Sequence, residues 1–476
     1  MTLYMNLAEL LGTQIEQGFY RPGDRLPSVR ALSQEHGVSL STVQQAYRHL
    51  EDSGMAAPRP KSGYFVPAER SLPALPGVGR STQRPVDVTQ WADVRDLLRS
   101  VPGPNVRQLG RGMPDVHAPT LKPLLKLLAQ ATRRTDLRCL YYDSAQGAEP
   151  LREALARHLV SSGCQLAPED IVITSGCQES LSISIRAVCE PGDIVAVDSP
   201  SYHGVMQILK GLGMQALEIP TDPVTGISLE ALELALEQWP IKAIQLTPSC
   251  NNPLGYVMPE ARKRALLSLA QRFDVAIIED DVYGDLAYQY PRPRAIKSFD
   301  TDGRVLLCSS FSKTLATGLR VGWVAPGRYL ERVLHVKYIS SGSTSPLPQL
   351  AAAEFLKAGL FEPHLRRMRS QYQRSRDQAS DFVTRYFPVG TRASRPQGGF
   401  MLWIELPADV DCLQLYRRLL TQNVQIAAGS LFSASGKYRN CFRLNFAGHA
   451  HRSIEDSMRK IGMAAAELIA EQHALG

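Results

Sequence analysis

Short runs of β-forming residues alternate with stretches of helical spacing from about residue 106 to the end of the chain. The runs are rich in valine, isoleucine and leucine, and they cover residues 171–174, 194–198, 243–248, 275–280 and 305–310. This alternation is typical of a mostly parallel sheet covered by helices. Such sheets bind ligands at the carboxyl ends of their strands. The pattern therefore predicts a large α/β domain over 106–476 with a ligand site at that edge.

Length and composition exclude several other classes. The chain has 476 residues, of which 44% are hydrophobic and 21% charged, which is typical of a globular protein of more than one domain. No apolar run approaches the roughly 20 residues of a membrane helix, and the N-terminus lacks a secretory signal. The eight cysteines include no CxxC pair, which favours a reducing compartment over a zinc site. We therefore expect a cytoplasmic protein with no metal and no membrane association.

Residues 1–67 are predicted to form three helices and a hairpin. Ser28 and Ser39 are positioned to cap the second and third helices, and glycines follow both of them. Strand-forming residues flank a turn within 59–66, which predicts a hairpin. Two short helices with a tight turn, followed by a basic hairpin, indicate a winged helix-turn-helix, with a generic three-helix bundle as the alternative.

The outward face of the third helix favours DNA binding over a merely solvated surface. Opposite its apolar stripe lie hydrogen-bonding and basic residues, without the glutamates and lysines usual on a solvated face: Ser41, Gln44, Gln45 and Arg48. Such side chains reach base edges in the major groove. Net charge is only +7, so this prediction rests on the motif and not on bulk charge.

The segment PGDRLPSVRALSQEHGVSLSTVQQAYRHLEDSGM, followed by PKSGYFV, resembles the DNA-binding domain of the GntR family of bacterial regulators. The resemblance covers nearly all of 1–67. Leu40 departs from it, because many members carry a polar residue or arginine there. The resemblance implies a double-stranded DNA operator as partner and DNA contacts through the second helix, the third helix and the wing: Arg30, Ser41, Thr42, Gln44, Lys61, Ser62 and Gly63.

Residues 68–105 have the composition of a linker. They are rich in proline, glycine, arginine and serine, and a short helix is predicted near 90–100. The arginine excess could touch the DNA backbone. We expect a passive, solvated tether instead.

Polar side chains suited to an anionic aldehyde cofactor follow two of the predicted strands. Lys313 lies after the strand 305–310, framed by Ser310 and Ser312, with Arg320 just downstream. A lysine amine can condense with an aldehyde, while hydroxyls and a guanidinium suit a phosphate. The segment 175–178 opens a predicted helix, whose N–H groups suit the same anion.

Further polar groups follow the other strands. Asp280 could face a protonated ring nitrogen, Asn252 could offer its amide to a phenolic oxygen, and Arg443 has a fork suited to a carboxylate. Tyr202 could stack on a flat ring. Each alone also has an ordinary structural interpretation, as an ion pair, a helix cap or a packing residue. Together, at successive strand ends, they favour one site.

The set resembles the fold type I aminotransferases, which use pyridoxal 5'-phosphate, over roughly 106–470. The resemblance implies a smaller C-terminal α+β subdomain and Lys313 as the catalytic residue that forms the Schiff base. Asp280 matches the partner of the ring nitrogen, and Arg443 matches the arginine that binds the substrate carboxylate. The remaining implied cofactor contacts serve the phenolic oxygen (Asn252, Tyr283), ring stacking (Tyr202), the phosphate (Ser175, Gly176, Cys177, Ser310, Arg320) and the neighbouring subunit's phosphate (Tyr142).

A GntR-like domain ahead of an aminotransferase-like domain resembles the MocR subfamily of bacterial transcriptional regulators, which implies a homodimer. The leading hypothesis is a pyridoxal-phosphate-dependent regulator that senses an amino compound or the cofactor itself. The alternative is a working aminotransferase with a DNA-binding head, because sensing and transamination need the same residues. A third hypothesis, a scaffold that binds its effector without cofactor, fits poorly with retention of Lys313, Asp280 and Arg320.

Overall fold

The computed structural model describes residues 3–52, 54–59, 62–67, 72–79, 84–88, 106–133, 141–448 and 451–475. The chain forms two compact units, Met1–Leu72 and Pro73–Gly476.

The first unit contains the predicted three helices and hairpin. The helices are α1 (Leu3–Glu16), α2 (Val29–His36) and α3 (Leu40–Asp52), and the hairpin strands are β1 (Ala57–Arg59) and β2 (Gly63–Phe65). Ser28 caps α2, since its hydroxyl accepts the N–H of Ala31 at 3.1 Å. Gly37 ends α2 with a φ of 62°, in the left-handed region where a side chain would be strained.

The core of the first unit lies where α3 packs on α1 and the hairpin. The predicted apolar stripe of α3 is buried, with Val43, Ala46 and Tyr47 at 0% exposure. The ring of Tyr47 stacks on Tyr64 of β2, with centroids 4.1 Å apart. This packing attaches the hairpin to the third helix and leaves the opposite face of α3 in solvent. The winged helix-turn-helix is therefore confirmed.

An eight-stranded sheet forms the centre of the second unit. Its spatial order is β4, β11, β10, β9, β8, β5, β6, β7. The five strands from β10 to β6 run parallel, whereas β11 and β7 are antiparallel to their neighbours. The strands are β4 (Val172–Thr174), β5 (Ile194–Ser199), β6 (Gln215–Asp222), β7 (Gly226–Ile227), β8 (Ile241–Leu246), β9 (Ala276–Asp280), β10 (Val305–Ser310) and β11 (Gly322–Ala325).

The predicted strands correspond to β4, β5, β8, β9 and β10, so the mostly parallel α/β domain is confirmed. The sequence prediction omitted β6, β7 and β11. The helices of this domain lie before, between and after the strands of its sheet along the chain. They are α4 (Lys122–Arg133), α5 (Glu149–Leu159), α6 (Cys177–Val188), α7 (His203–Gly211), α8 (Leu229–Gln238), α9 (Glu260–Arg272), α10 (Leu330–Ser341) and α11 (Pro346–Lys357).

A smaller subdomain with its own antiparallel sheet follows. The sheet has the order β12, β13, β16, β15, and a separate parallel pair joins β14 to β3. This is the smaller α+β subdomain that the family resemblance implied. Its elements are α12 (Phe361–Tyr386), α13 (Cys412–Thr421), α14 (His451–Leu475), β3 (Arg107–Gln108), β12 (Arg392–Ala393), β13 (Met401–Glu405), β14 (Val424–Gln425), β15 (Ala427–Ala428) and β16 (Cys441–Asn445).

The described linker residues are attached to sheet edges of the second unit. Ala74 forms a parallel bridge with Arg392 of β12, and Val86 forms an antiparallel bridge with Ala216 of β6. Val88 is only 4% exposed and packs in a core cluster. The expectation of a solvated tether is therefore wrong for these residues, because proline-rich composition does not prevent edge pairing. The helix predicted near 90–100 lies outside the described residues.

Within the described ranges, no helix is long and apolar enough to cross a membrane. The same ranges hold no group of three histidine, cysteine or acidic side chains that could hold a metal ion.

Candidate cofactor and ligand site

Lys313 lies just beyond the carboxyl end of β10, in the turn that leads toward β11. Its amine is half-buried and donates to the carbonyl oxygen of Gly112 at 2.6 Å. Burial, aided by the positive charge of Arg443, lowers the pKa of Lys313 to about 8. About a tenth of this amine is therefore unprotonated at pH 7, and about half at pH 8, in the form that a nucleophile or base requires.

Asp280 ends the neighbouring strand β9 and is 4% exposed. Its Oδ1 accepts the backbone N–H of Val282 at 3.1 Å and lies 3.5 Å from the thiol sulfur of Cys177. Burial raises the pKa of this carboxyl to about 6, against 3.8 in a model peptide. A buried carboxylate is costly without a cation, so Asp280 is a strong acceptor for a protonated ring nitrogen.

Arg443 extends from β16, an inner strand of the small sheet, and is 2% exposed. Its guanidinium donates to Asn252 Oδ1 at 2.9 Å and to the carbonyl oxygen of Gly110 at 2.7 Å. The N–H on its Nε is buried without a partner. Burial lowers the pKa of Arg443, because the neutral acceptors around the guanidinium only partly replace the water that would stabilise its charge. A ligand carboxylate would supply the missing negative charge.

Two tyrosines extend the site. Tyr283 is 2% exposed, and its hydroxyl is buried without a hydrogen-bond partner. Tyr202 precedes α7 and lies 3.4 Å from Gln178 Oε1 through its hydroxyl. The structure thus brings the predicted stacking ring and the predicted phenolic-oxygen donor into the same region as Asp280 and Arg443, since the four groups interact electrostatically.

The predicted phosphate cradle surrounds the start of α6. Arg320, itself at φ 51°, donates to the carbonyl oxygen of Ser175 at 2.8 Å. Its guanidinium passes so near Gly176 that a Cβ there would meet Nη2 at 2.6 Å. The first N–H groups of α6 have no acceptor within the helix, so an anion can bind them. The N–H of Ser175 instead donates to the carboxylate of Glu179.

Two serines, one at the end of β10 and one just beyond it, complete the predicted cradle. Ser310 is 1% exposed, and its hydroxyl accepts the N–H of Ser312 at 3.3 Å. The hydroxyl of Ser312 is buried without a partner. The side chain of Cys177 is directed at Asp280, so only its backbone can serve the cradle. Tyr142, predicted to reach a neighbouring subunit, is 97% exposed.

Sequence reasoning missed several groups that shape the site. The carbonyl oxygens of Gly110 and Gly112 orient Arg443 and Lys313, yet a backbone acceptor leaves no residue-type signal. The guanidinium of Arg443 lies over the ring of Phe432, 4.9 Å from its centroid. Burial, with Arg443 and Lys313 nearby, lowers the pKa of His203 to about 3, so this ring is neutral. The available sequence signal for His203 was its position directly after Tyr202, the predicted stacking residue.

The predicted DNA-binding residues that the structure describes all lie on the first unit. Ser39 bonds to the hydroxyls of both Ser41 and Thr42 at 2.8 Å, which fixes the start of α3. Leu40, the departure from the family pattern, is 49% exposed. Lys61 lies outside the described residues. The remaining predicted contacts are exposed: Arg30, Gln44, Gln45, Arg48, Ser62 and Gly63.

The residues of the second unit fit pyridoxal phosphate. The unpartnered buried hydroxyls of Tyr283 and Ser312 provide donors for a phenolic oxygen and a phosphate. Gly176 keeps the backbone bare where the phosphate must approach. Lys313 and Asp280 supply the amine and the carboxylate that the aldehyde and the ring nitrogen need. The arrangement is that of a pyridoxal-phosphate site.

Comparison with known families agrees with both units. Residues 106–461 match the aminotransferase class I and II family, and residues 3–66 match the gntR family of bacterial regulatory proteins. The chain therefore belongs to the aminotransferase class I and II family and carries a GntR domain ahead of it. This fusion places it with the MocR-type regulators.

Particular relatives show the same division. The chain is 54% identical to the HTH-type transcriptional regulator YjiR of Escherichia coli, across 98% of this chain and 99% of that protein. The structure of the multiple substrate aminotransferase of Thermococcus profundus superposes on this chain with a TM-score of 0.74 and 27% sequence identity. The match covers 80% of this chain and 96% of that structure. The α-aminoadipate aminotransferase of Thermus thermophilus, complexed with N-(5'-phosphopyridoxyl)-L-leucine, has a TM-score of 0.73 and 28% identity, with 80% and 96% coverage.

Proposed function

We propose that this protein is a pyridoxal-phosphate-dependent transcriptional regulator whose second unit binds an amino compound. The observation that carries the proposal is that one chain combines a winged helix-turn-helix with a site whose side chains suit both pyridoxal phosphate and the carboxylate of an amino compound. Lys313, Asp280 and Arg443 converge from three different strands or strand ends, while the polar face of α3 lies in solvent.

The chain's own residues divide the work of ligand binding. When bound, pyridoxal phosphate supplies an aldehyde that accepts amines and a ring that withdraws electrons. Asp280 would hold the ring nitrogen protonated, and Lys313 would hold the cofactor through its amine, at the position where the amine of a ligand would bind. Arg443 then binds the ligand carboxylate with a planar fork, which orients the amine toward the position of Lys313.

Regulation follows if the ligand favours one arrangement of a dimer. Two DNA-binding units held by a homodimer would prefer paired half-sites, and a ligand that binds one dimer state more tightly shifts the population toward it. The proposed partners are therefore a second copy of this chain, operator DNA and an amino acid or related amine. The proposed location is the cytoplasm, on the nucleoid.

A second candidate function is transamination with a DNA-binding head. The observation in its favour is the lowered pKa of Lys313, because an unprotonated amine beside the ligand can remove its α-proton. Sustained turnover with a keto-acid acceptor would favour the enzyme. Ligand binding without sustained turnover would favour the regulator.

The test is a DNA-binding measurement on the cofactor-loaded, full-length protein. Selection from random duplexes identifies the preferred sequence, and its affinity is then measured with and without each amino acid of a panel. A change in affinity with an amino acid that also shifts the cofactor's visible spectrum supports the proposal. Spectral shifts with no change in DNA affinity would contradict it.

A further inference from the structure

The linker crosses the edge of the small sheet before it reaches β6. The N–H of Gly77 donates to Glu405 Oε2 of β13 at 2.7 Å, and the N–H of Ala393 donates to the carbonyl oxygen of Ala74 at 2.9 Å. Two residues further on, Gly79 lies directly against Tyr438. A Cβ on Gly79 would meet the tyrosine oxygen at 2.1 Å and Cζ at 3.0 Å. Only glycine fits there without displacement.

Tyr438 is held from several sides. Its hydroxyl is 2.8 Å from Ser199 Oγ, at the end of β5. Its ring meets Trp403 of β13 edge-on, with centroids 5.8 Å apart. Its φ of 60° is uncommon for an aromatic residue, so the surrounding contacts must impose it. The position of Tyr438 is therefore sensitive to what packs on it.

From Tyr438 a series of ring contacts leads to the ligand site. Trp403 meets Phe432 edge-on at 5.3 Å between centroids. Phe432 is 0% exposed, and Arg443 lies over its ring at 4.9 Å. At one end of this series Tyr438 contacts the linker. At the other end Phe432 supports the guanidinium of Arg443, which is predicted to bind the ligand carboxylate.

A second route starts from the same hydroxyl. Ser199 donates to Glu218 Oε1 of β6 at 3.1 Å, and Glu218 is 0% exposed. Two residues earlier on that strand, Ala216 exchanges both backbone hydrogen bonds with Val86 of the linker, at 3.0 Å each. Ser199 also precedes Tyr202, the predicted stacking ring, by three residues. Both attached linker segments thus contact elements that shape the site.

We propose that the linker segments 73–79 and 84–88 are the response element of this protein: their attachment to the second unit is coupled to ligand binding at Arg443 through Tyr438, Trp403 and Phe432. This inference rests on the proposed function, because it needs a carboxylate-bearing ligand at Arg443. The attached linker keeps the rings packed beneath the guanidinium and so supports ligand binding. Linkage is reciprocal, so the ligand tightens linker attachment by the same factor. The first unit ends at Leu72, where these linker segments begin. A change in linker attachment therefore acts on the part of the chain that leads to the DNA-binding unit.

The test uses two glycines that differ in what an added methyl would meet. Gly79→Ala places a Cβ against Tyr438, whereas in Gly77→Ala the nearest atom is Arg392 Nη1 at an ordinary 3.6 Å. Neither residue lies in the cofactor or ligand machinery. Affinity for an amino acid and for an amine without a carboxylate is read from the visible spectrum of the cofactor-loaded protein. Hydrogen exchange over 73–79 is measured with and without the amino acid.

Gly79→Ala is expected to weaken amino-acid binding at least fivefold, near the lower end of allosteric couplings, and to leave the carboxylate-free amine unchanged. Gly77→Ala should behave as wild type. In the wild-type protein the amino acid should slow exchange over 73–79. Equal behaviour of the two variants, or exchange that the ligand leaves unchanged, would overturn the proposal.

Two further measurements separate this inference from other failures. If Gly79→Ala does not fold, Tyr438→Phe removes only the hydroxyl that fixes the ring to Ser199, and it should also weaken amino-acid binding and ligand-dependent protection. An unaffected Tyr438→Phe would overturn the proposal. If wild-type DNA affinity ignores every ligand while the linker still gains protection, the proposed function fails and the coupling stands. If DNA affinity responds but the linker does not, the coupling alone fails.

Discussion

Replacing Arg443 by leucine should separate ligands by whether they carry a carboxylate. The guanidinium is 2% exposed and already donates to Asn252 and to the Gly110 carbonyl, so the side chain is fixed before any ligand arrives. A pre-oriented fork loses little rotamer entropy on binding. Removing one charge-assisted hydrogen bond costs on the order of 1.5–3 kcal/mol, which is roughly 10- to 150-fold in Kd. Amines without a carboxylate make no such contact.

The assay is a titration of the cofactor-loaded Arg443→Leu variant, followed by its visible spectrum, with an amino acid and with the matching decarboxylated amine. Arg443→Lys is the control, since it keeps a positive charge and loses the planar fork. The amino acid should lose affinity in the order wild type, lysine variant, leucine variant, while the amine keeps its affinity. Equal losses for both ligands in Arg443→Leu would show that the arginine supports the site in some other way and would refute this reasoning.

Three other perturbations have defined outcomes. Lys313→Ala should abolish the visible absorption of the cofactor–lysine linkage, and a variant that retains the wild-type band would contradict the assignment. Asp280→Asn should stabilise the cofactor-free protein against denaturant at pH 8 by up to about 3 kcal/mol, because burial raises the pKa of this carboxyl from 3.8 to about 6 and so disfavours its ionised form in the folded state. The difference in stability between variant and wild type should vanish toward pH 4, where the carboxyl is protonated in the folded protein. A stability difference that does not change with pH would exclude titration of Asp280 as its cause. Gln44→Ala should relax sequence preference at one or two base pairs, at roughly 1–3 kcal/mol per lost bidentate contact. Lys61→Ala should weaken binding to all DNA sequences alike and lower the slope of log affinity against log salt concentration by about one. Identical behaviour of the two variants in a salt series would contradict base reading by α3.

Periodicity and capping residues predicted the first unit almost completely. The apolar stripe of α3, the Ser28 cap and the Gly37 stop are local features, and local features determine where short helices begin and end. The five predicted strands are buried and rich in branched residues, so they too were recognisable. Strand β7 is two residues long, and β11 is a four-residue strand that includes a glycine and an alanine, which gives a weak β signal.

The site was predictable to the extent that side-chain chemistry marks it. Lys313, Asp280 and Arg443 stand out because a cation or carboxylate at a buried strand end needs a partner. What the sequence could not indicate is where backbone groups lie, such as the Gly112 carbonyl that accepts from Lys313. The attachment of the linker was missed for a related reason. Edge pairing by Val86 depends on the backbone of Ala216, which has no compositional signature.

The most direct test of a ligand-sensing regulator is one titration with two readouts. Cofactor-loaded, full-length protein is mixed with its selected DNA duplex, and an amino acid is added while the visible spectrum and DNA affinity are recorded together. We expect both signals to change with the same ligand midpoint, and Arg443→Leu to shift both midpoints equally to higher concentration. A spectrum that saturates while DNA affinity stays constant would contradict the proposal that ligand occupancy in the second unit controls DNA binding by the first.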